Sequence, residues 1–455
     1  MTAPRLRATP SDARLAQVGR RFVLLSALRW LPTGLLLPVT AVLMQSRGLS
    51  LAQIGLVVTV QGAAVIALEL PTGGVADALG RRPVLLVASA LDVASLALLL
   101  GADSLGAFMV AGAVQGVFRA LESGPLEAWY VDSSLGVDPG APIERGLARG
   151  TSAIGLAISV GALGAAGLTA LPAIGGVDPL AVPVAAALLL RLVDIGALAL
   201  LVHDDRARRD LGAVSLGVAA APAVVRSTVR LVSRSRALLA LVGVELLWGA
   251  GLVAVELFSG PRMVELLGDP ERGVAVFGLT VAAGWSISAL GSAATGRSTA
   301  WLGGGPARLG VVLRVAQGAA VMLMALGGGP LGLVTGYLGF YLVHGSANVV
   351  HYGMVHRLVD ADHRTTVISA NSLATRLGGA AGSVGLGALA AAAGIPAALA
   401  VAAVVLAGAA PLYRVAAHPE GGFIPLRVAE VRDLVPDHEA DERSDSVPDH
   451  EHRGS

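Results

Sequence analysis

The sequence predicts an all-α membrane protein with about twelve transmembrane helices, and three observations support this prediction. Hydrophobic residues make up 54% of the 455 residues and charged residues only 14%, whereas soluble proteins carry about 25% charged residues. The charges gather between apolar runs of about 20 residues, the length that crosses a hydrocarbon core of ~30 Å. These runs recur along most of the chain, and one longer connector, charged in its first part and Ala/Val-rich at 211–225, divides them into two groups of six.

The apolar runs predict the spans in chain order, with boundaries good to a few residues. They are 22–46, 51–76, 83–102, 105–131, 147–172, 180–203, 238–262, 272–296, 307–327, 330–355, 365–393 and 395–416. The first six form an N-terminal bundle over 22–203, and the last six form a C-terminal bundle over 238–416. Residues 204–237 are predicted to connect them. The N-terminal tail is 1–21, and the polar, acidic tail 417–455 is predicted to be disordered because such a composition cannot bury a core.

The arginines predict the orientation of the chain in the membrane. The chain has no lysine, so arginine provides every basic side chain apart from histidine. Arginines concentrate in the N-terminal tail, in the loop between spans two and three, and in the connector, while the alternate loops hold few. Short cytoplasmic loops are enriched in basic residues. Both termini are therefore expected in the cytoplasm. The Arg/Ala/Gly/Val-rich composition indicates a bacterial chain, hence a multi-pass protein of the cytoplasmic membrane.

Composition also excludes several kinds of chemistry. The chain has no cysteine, which excludes disulfides, thiol nucleophiles and cysteine-based zinc sites. Without lysine there is no GxxxxGK[ST] nucleotide-binding loop, and a net charge of +1 gives no reason to expect nucleic acid. The sequence predicts no enzyme activity, no cofactor and no metal site. The expected partners are a small-molecule substrate, protons and the lipid bilayer, and the chain is expected to be a monomer.

The stretch "GGVADALGRR" at the end of span two combines glycines, an acid and two arginines. Gly73 allows a neighbouring helix to approach closely, and the Asp77 carboxylate can pair with arginines or face a helix N-terminus. Gly80 permits a tight turn, while Arg81 and Arg82 can anchor the loop at the membrane surface.

In this stretch the sequence resembles the major facilitator superfamily, whose loop between spans two and three carries G-x-x-x-D-(R/K)-x-G-(R/K)-(R/K). The match is at Gly73, Asp77, Gly80, Arg81 and Arg82, and Ala78 stands where a basic residue is usual. The preceding "ELPTG" resembles bacterial members of the drug-exporter type. The resemblance implies two pseudo-symmetric six-helix bundles, and it makes these five residues a cytoplasmic gate. The alternative is that they only set topology and loop geometry.

Span four holds the densest group of ionisable residues at membrane depth, where charges are costly and usually functional. Arg119 and Glu122 are three residues apart and so share a helix face. An arginine keeps a neighbouring carboxylate ionised until the pair is displaced, which suits a proton-coupled cycle. The alternative is a static ion pair. Pro125 is expected to bend this helix.

Span seven places two carboxylates on one stripe. Glu245 and Glu256 share this stripe, with Trp248 at its edge, and together they can hold a cation by charge and cation–π contact. The alternative is pairing with Arg29 or Arg376 on another helix, or surface exposure for Glu256. We favour a functional role for Glu245 and the structural alternative for Glu256.

Spans one and six complete the predicted proton and substrate site. Arg29 lies on one face of span one with Ser26 and Thr33, and it is taken as a site residue. Arg191 and Asp194, three residues apart in span six, are expected to pair, and Asp194 is also a proton candidate. Other ionisable residues inside predicted spans are Glu69, Asp92, Glu127, Arg314, His344, His351 and Arg376.

Together these features predict a proton-coupled secondary transporter that works by alternating access. Acids inside the spans outnumber arginines, which favours export of a small lipophilic, cationic or zwitterionic compound. Span five lacks the Gly-Pro pair of the family's antiporter signature, which counts against export by antiport. The alternatives are a proton symporter that imports a small metabolite, and a sensor or assembly protein that uses the same scaffold without transport.

Overall fold

The computed structural model describes residues 10–172, 176–203, 226, 229–303, 305–359 and 361–417, with the backbone alone at 69–78, 299–302 and 361–365. The predicted C-terminal tail lies almost wholly outside these residues, as does most of the predicted connector. Residues 10–21 of the predicted N-terminal tail are described, and they form the start of the first helix. The helices are α1 (Pro10–Leu36), α2 (Thr40–Ser46), α3 (Leu51–Leu79), α4 (Arg81–Gly101), α5 (Leu105–Glu122), α6 (Pro125–Val137), α7 (Ile143–Thr169), α8 (Val182–Leu201), α9 (Arg236–Leu267), α10 (Pro270–Leu302), α11 (Gly305–Leu326), α12 (Gly329–Leu358), α13 (Ala361–Ala393), α14 (Ile395–Gly408) and α15 (Ala410–Ala416).

The predicted all-α membrane fold is confirmed. Ten helical segments of the described chain are long and apolar enough to cross a membrane. Two further helices, α12 with 30 residues and α13 with 33 residues, are also longer than a bilayer core requires. Histidines and an asparagine lower the hydropathy of α12, and α13 is rich in glycine and alanine. Both helices coincide with predicted spans, so the described chain has helices at all twelve.

Three spans are each built from two helices. The first combines α1 and α2, the fourth combines α5 and α6, and the twelfth combines α14 and α15. The break in span four follows the sequence, because Gly124 has a left-handed backbone with φ of 95° and Pro125 begins α6. A proline is well placed at the first position of a helix, where its missing N–H costs nothing. The bend expected at Pro125 is therefore a full interruption, and α5 ends at Glu122.

The helices pack into two halves that meet along two seams. In the N-terminal half α1 packs on α7 and α8, and α5 packs on α3 and α4. In the C-terminal half α9 packs on α13 and α14, and α12 packs on α10 and α11. The seams between the halves are α3 against α13 and α7 against α10. We call the end of the bundle that carries Pro10 and Ala416 the terminal face, and the end that carries Arg47 and Asp103 the far face.

Glycines bring helix backbones together at these seams. A Cβ atom at Gly55 of α3 would collide with the backbone oxygen of Ser383 in α13. A Cβ atom at Gly278 of α10 would lie 2.7 Å from the backbone oxygen of Ala162 in α7. Small residues allow such close packing in membranes, where apolar side chains gain little by leaving lipid. Both approaches lie in the far-face part of the bundle and close the contact between the halves there.

Within the N-terminal half a close glycine contact joins the backbones of α1 and α7, and it gives the first prediction. A Cβ atom at Gly161 would lie 2.9 Å from the Cα atom of Gly34, whereas one at Gly167 would have nothing within 4 Å. We expect Gly161→Leu to destabilise the bundle by about 1–3 kcal/mol through overpacking. Thermal loss of the monodisperse size-exclusion peak measures this. The matched variant Gly167→Leu, on the same helix, should melt like wild type, and equal melting of both variants would contradict the α1–α7 packing.

Candidate functional site

A cavity of about 740 Å³ lies between the two halves. Its walls come from α1, α3 and α5 on one side and from α9, α10 and α13 on the other. The lining includes Ser123, Gly124 and Glu127, which are exposed and lie at the start of α6. Because α6 runs toward the terminal face, and the halves touch at the far face, the cavity opens toward the terminal face. Both halves present polar groups to this cavity.

Arg29, Arg119 and Glu122 form an ion-pair cluster on the N-terminal wall of this cavity. The Arg29 Nη2 atom lies 3.0 Å from Glu122 Oε1, and Arg119 Nη1 lies 3.6 Å from Glu122 Oε2. Arg119 also donates a hydrogen bond to Thr33 Oγ1 at 3.1 Å, and its guanidinium lies over the Trp30 ring, 5.3 Å from the centroid. The Glu122 side chain is 11% exposed and that of Arg119 is 24% exposed, while Arg29 is buried. The carboxylate is therefore held between two arginines at the edge of the cavity.

A second cluster lies deeper in the same half and centres on Arg191. Arg191 Nε donates to Asp92 Oδ2 at 2.8 Å, and Arg191 Nη1 donates to Asp194 Oδ2 at 3.1 Å, so the expected Arg191–Asp194 pair forms. Ser89 donates to the same Asp194 oxygen at 3.0 Å, and Arg191 Nη2 donates to the backbone oxygen of Arg29 at 3.2 Å. All of these side chains are buried. The cluster ties α4 and α8 to α1.

The C-terminal half has its own buried cluster around Glu245. Glu245 Oε1 lies 3.5 Å from Arg314 Nη2 and 3.4 Å from His351 Nε2. Thr375 donates a hydrogen bond to Glu245 Oε2 at 2.8 Å. The other His351 ring nitrogen lies 3.2 Å from the Tyr413 hydroxyl. The partner of Glu245 is therefore Arg314, and not Arg29 or Arg376 as the sequence allowed.

The two carboxylates of span seven have different surroundings. Glu245 and Trp248 are buried and do not line the cavity, so they contact no molecule held there in this conformation. Glu256 lines the cavity and is exposed to it. The sequence favoured a structural position for Glu256 and a functional one for Glu245, and the cavity wall reverses that order. Glu245 and Glu256 are eleven positions apart, so they lie at opposite ends of a stripe that only partly faces the cavity.

Glu256 has neighbours suited to a charged ligand. It makes no ion pair or hydrogen bond with the side chains that the structure describes. Arg119 of the other half is close enough to interact with it electrostatically. Trp285 lines the same cavity, and its indole N–H has no hydrogen-bond partner in the described part of the chain. Sequence reasoning missed Trp285, because a tryptophan in a predicted span gives no sign of which way it faces.

The residues of the loop motif lie at the terminal face. Gly80 has φ of 93° between α3 and α4, as a tight turn there requires. Arg81 Nη2 lies 3.5 Å from Asp132 Oδ2 in α6, and Arg82 donates to the backbone oxygen of Ala199 in α8 at 2.7 Å. The side-chain positions of Gly73 and Asp77 lie outside the described residues. The two arginines thus tie this loop to α6 and α8 within the N-terminal half.

Over the described residues no three His, Asp or Glu side chains are grouped so that they could hold a metal ion. The charged groups of the cavity are instead arginines and carboxylates from α1, α5, α6, α9 and α13. Two helical halves around a polar cavity are the architecture of an integral, multi-pass membrane transporter.

The comparisons with known proteins agree with this class. The Major Facilitator Superfamily profile matches residues 22–351, which is more than half of the chain. The chain belongs to the major facilitator superfamily. No curated protein sequence gives a significant match.

Solved structures share the fold at low sequence identity. The nucleoside transporter NupG is 16% identical, with a TM-score of 0.69, over 88% of this chain and 98% of NupG. An inward-facing bacterial homologue of the human lysosomal transporter Spinster is 14% identical, with a TM-score of 0.70, over 92% of this chain and 100% of that one. The human organic anion transporter MFSD10 is 16% identical, with a TM-score of 0.58, over 89% of this chain and 100% of that one. At these identities the likeness shows the fold alone.

The Arg191 cluster gives the second prediction. Asp92→Ala leaves part of a buried guanidinium without its carboxylate, which typically costs about 3–5 kcal/mol. We therefore expect a large fall in thermal stability in detergent. The control is Glu265→Ala, which breaks the Arg262–Glu265 pair at 3.0 Å, where Glu265 is 45% exposed; such pairs contribute about 0–1 kcal/mol. Equal losses in the two variants would show that the Asp92–Arg191 pair does not stabilise the half.

Proposed function

We propose that this chain is a proton-coupled exporter of a small lipophilic compound that carries a cationic or zwitterionic group. The main observation in support of this proposal is the set of charged groups in the central cavity. The central cavity presents Glu256 from the C-terminal half, and Arg119 with Glu122 from the N-terminal half. A ligand between them meets Glu256 and Arg376 on one wall, and Arg119 with Glu122 on the other.

The arrangement of these groups supports a zwitterionic or cationic ligand. A positive group can bind to Glu256, which has no competing partner among the described side chains. A negative or acceptor group can bind to Arg119, which is partly exposed to the cavity. The Trp30 and Trp285 rings provide flat apolar surface beside both charges, and cations bind well over tryptophan faces. The rest of the lining is largely aliphatic, which suits a lipophilic body.

Proton coupling is proposed for Glu122. It is the carboxylate of the N-terminal ion-pair clusters that reaches the cavity, and its oxygens already contact two arginines. Protonation of Glu122 would release part of that attraction, and a negative group of the ligand at Arg119 would compete for it. Proton and substrate would then act on one arginine, which is a simple way to link them. Arg29 and Asp194 are buried next to this site and would hold it in position.

Export direction rests on the proposed orientation. With the arginine-rich loops in the cytoplasm, the terminal face is cytoplasmic and the cavity is open to that side. The loop motif, with Gly73, Asp77, Gly80, Arg81 and Arg82, is proposed as the gate that closes this opening. The Arg81–Asp132 contact would be part of its N-terminal side. The bacterial cytoplasmic membrane is proposed as the location.

Proton flux in proteoliposomes is the first test. A pH-sensitive dye is trapped inside, and lipophilic cations, zwitterions, sugars and amino acids are added in turn. We expect substrate-dependent proton movement in wild type, and its loss in Glu122→Gln, because the amide cannot take up a proton at neutral pH. The control variant Glu144→Gln changes an exposed acid at the start of α7, and it should keep the substrate-dependent proton movement of wild type. Coupling that persists in Glu122→Gln would reject this proton site, and proton movement in the symport direction would favour an importer.

The substrate site is tested by direct binding. Glu256→Gln should weaken binding of a cationic substrate at least about tenfold, the order expected when a charge-assisted contact of ~1.5–3 kcal/mol is lost. Tryptophan fluorescence or scintillation proximity with purified protein can measure this affinity. The control Glu265→Gln removes an exposed acid of the same helix outside the cavity and should bind like wild type. Unchanged affinity in Glu256→Gln would remove the acid from the binding site.

A further inference from the structure

A second cavity, of about 960 Å³, lies on the side of the N-terminal half. It is a groove between α1 and the part of α7 that ends at Val160, with contributions from α6. The α1 residues that line it are distinct from those that line the central cavity. Its floor is built of small residues such as Ala27, Ala153 and Ala157, and its rims carry leucines such as Leu24 and Leu156. Leu24 is 53% exposed and Leu156 is 67% exposed.

Three arginines line the terminal-face end of this groove. Arg20 comes from α1, and Arg145 and Arg149 come from the first two turns of α7. The last two are four residues apart and therefore share a helix face. All three are exposed. Their guanidinium groups make no ion pair or hydrogen bond with the described residues, although buried arginines of this half are paired.

The charge at this end of the groove is positive. Asp12 is the acid that lines the groove together with the three arginines, so the lining carries a net charge of about +2. The first backbone N–H groups of α7 point toward the terminal face and add to this field, although Glu144 in the first turn of α7 partly offsets it. Pro142, which precedes α7, provides no side-chain cap for them. The end of the groove therefore favours an anion.

The length of the apolar part matches one leaflet of a bilayer. From Arg20 to Leu31 on α1, and from Arg149 to Val160 on α7, the groove extends over eleven residues, about 16 Å at 1.5 Å per residue. Half of a ~30 Å hydrocarbon core is about 15 Å. A molecule with an acidic head at the arginines and an apolar chain along the groove would fit both parts of it.

We propose that this groove binds one anionic phospholipid from the leaflet at the terminal face. The headgroup phosphate contacts Arg20, Arg145 and Arg149, and one acyl chain lies between α1 and α7 over the small residues. The site is separate from the central cavity. It gives α1, which lines the central cavity, and α7, which forms a seam with α10, a lipid partner whose charge can affect their stability.

The test measures lipid retained by the purified full-length protein. Native mass spectrometry in detergent compares phosphatidylglycerol with phosphatidylcholine of the same acyl chains. We expect wild type to retain phosphatidylglycerol preferentially. Arg145→Gln with Arg149→Gln should lower that retention about 25-fold, since each arginine near a membrane surface contributes roughly a fivefold preference for acidic lipid. Glycerol phosphate in excess should not displace the lipid, because it lacks the acyl chains.

Two control variants distinguish binding in the groove from the effects of surface charge and of misfolding. Arg308→Gln with Arg357→Gln removes two exposed arginines at the terminal face of the other half, and it should leave retention unchanged. Ala153→Phe fills the groove without altering charge, and it should lower retention of phosphatidylglycerol several-fold even if the double arginine variant fails to fold. An equal loss of phosphatidylglycerol in the Arg308/Arg357 variant would mean that retention depends on general surface charge and not on the groove. Unchanged retention in Ala153→Phe, or equal retention of both lipids by wild type, would overturn the proposal.

Discussion

The structure depends on the pairing of charges that lie inside a bundle of apolar helices. Arg191 is buried, and it is tolerable there because Asp92 and Asp194 both contact it and Ser89 holds the second carboxylate. An unpaired charge at this depth would be strongly destabilising. The pairing therefore fixes how α4 and α8 are rotated about their axes. Since Arg191 also bonds the backbone of Arg29, the same cluster sets the position of α1, on which Arg29 reaches Glu122.

The C-terminal half also has a buried cluster of paired charges, made of different residues. Its cluster joins Glu245, Arg314, His351 and Tyr413, which belong to spans seven, nine, ten and twelve. The N-terminal clusters join spans one, three, four and six, the corresponding positions when the chain is divided into two sets of six. Each ion pair between two described side chains lies within one half. The closest approaches between the halves are instead made by glycines such as Gly55 and Gly278, so relative movement of the halves need not break those ion pairs.

Sequence alone could predict the helices and the short-range pairs. Hydropathy depends on local composition, and the three-residue spacing of Arg119–Glu122 and of Arg191–Asp194 fixes each pair on one helix face. The long-range partners could not be predicted in this way. That Glu122 meets Arg29, and that Glu245 meets Arg314, depends on the rotation of four helices, which packing decides. For the same reason a stripe drawn on span seven could not show that Glu256 faces the cavity while Glu245 faces its own half.

The burial of the paired charges also limits where a ligand or a proton can act. Asp92, Asp194, Arg191 and Arg314 are enclosed by protein, and a ligand in the cavity cannot reach them without separating a buried ion pair. Arg119 and Glu122 are partly exposed on one wall, and Glu256 is exposed on the other. These groups have oxygen or nitrogen atoms free to change partner at low cost, because the cavity supplies solvent in exchange. The buried clusters hold each half rigid, and the charges left at the edge of the cavity are the ones suited to respond to its contents.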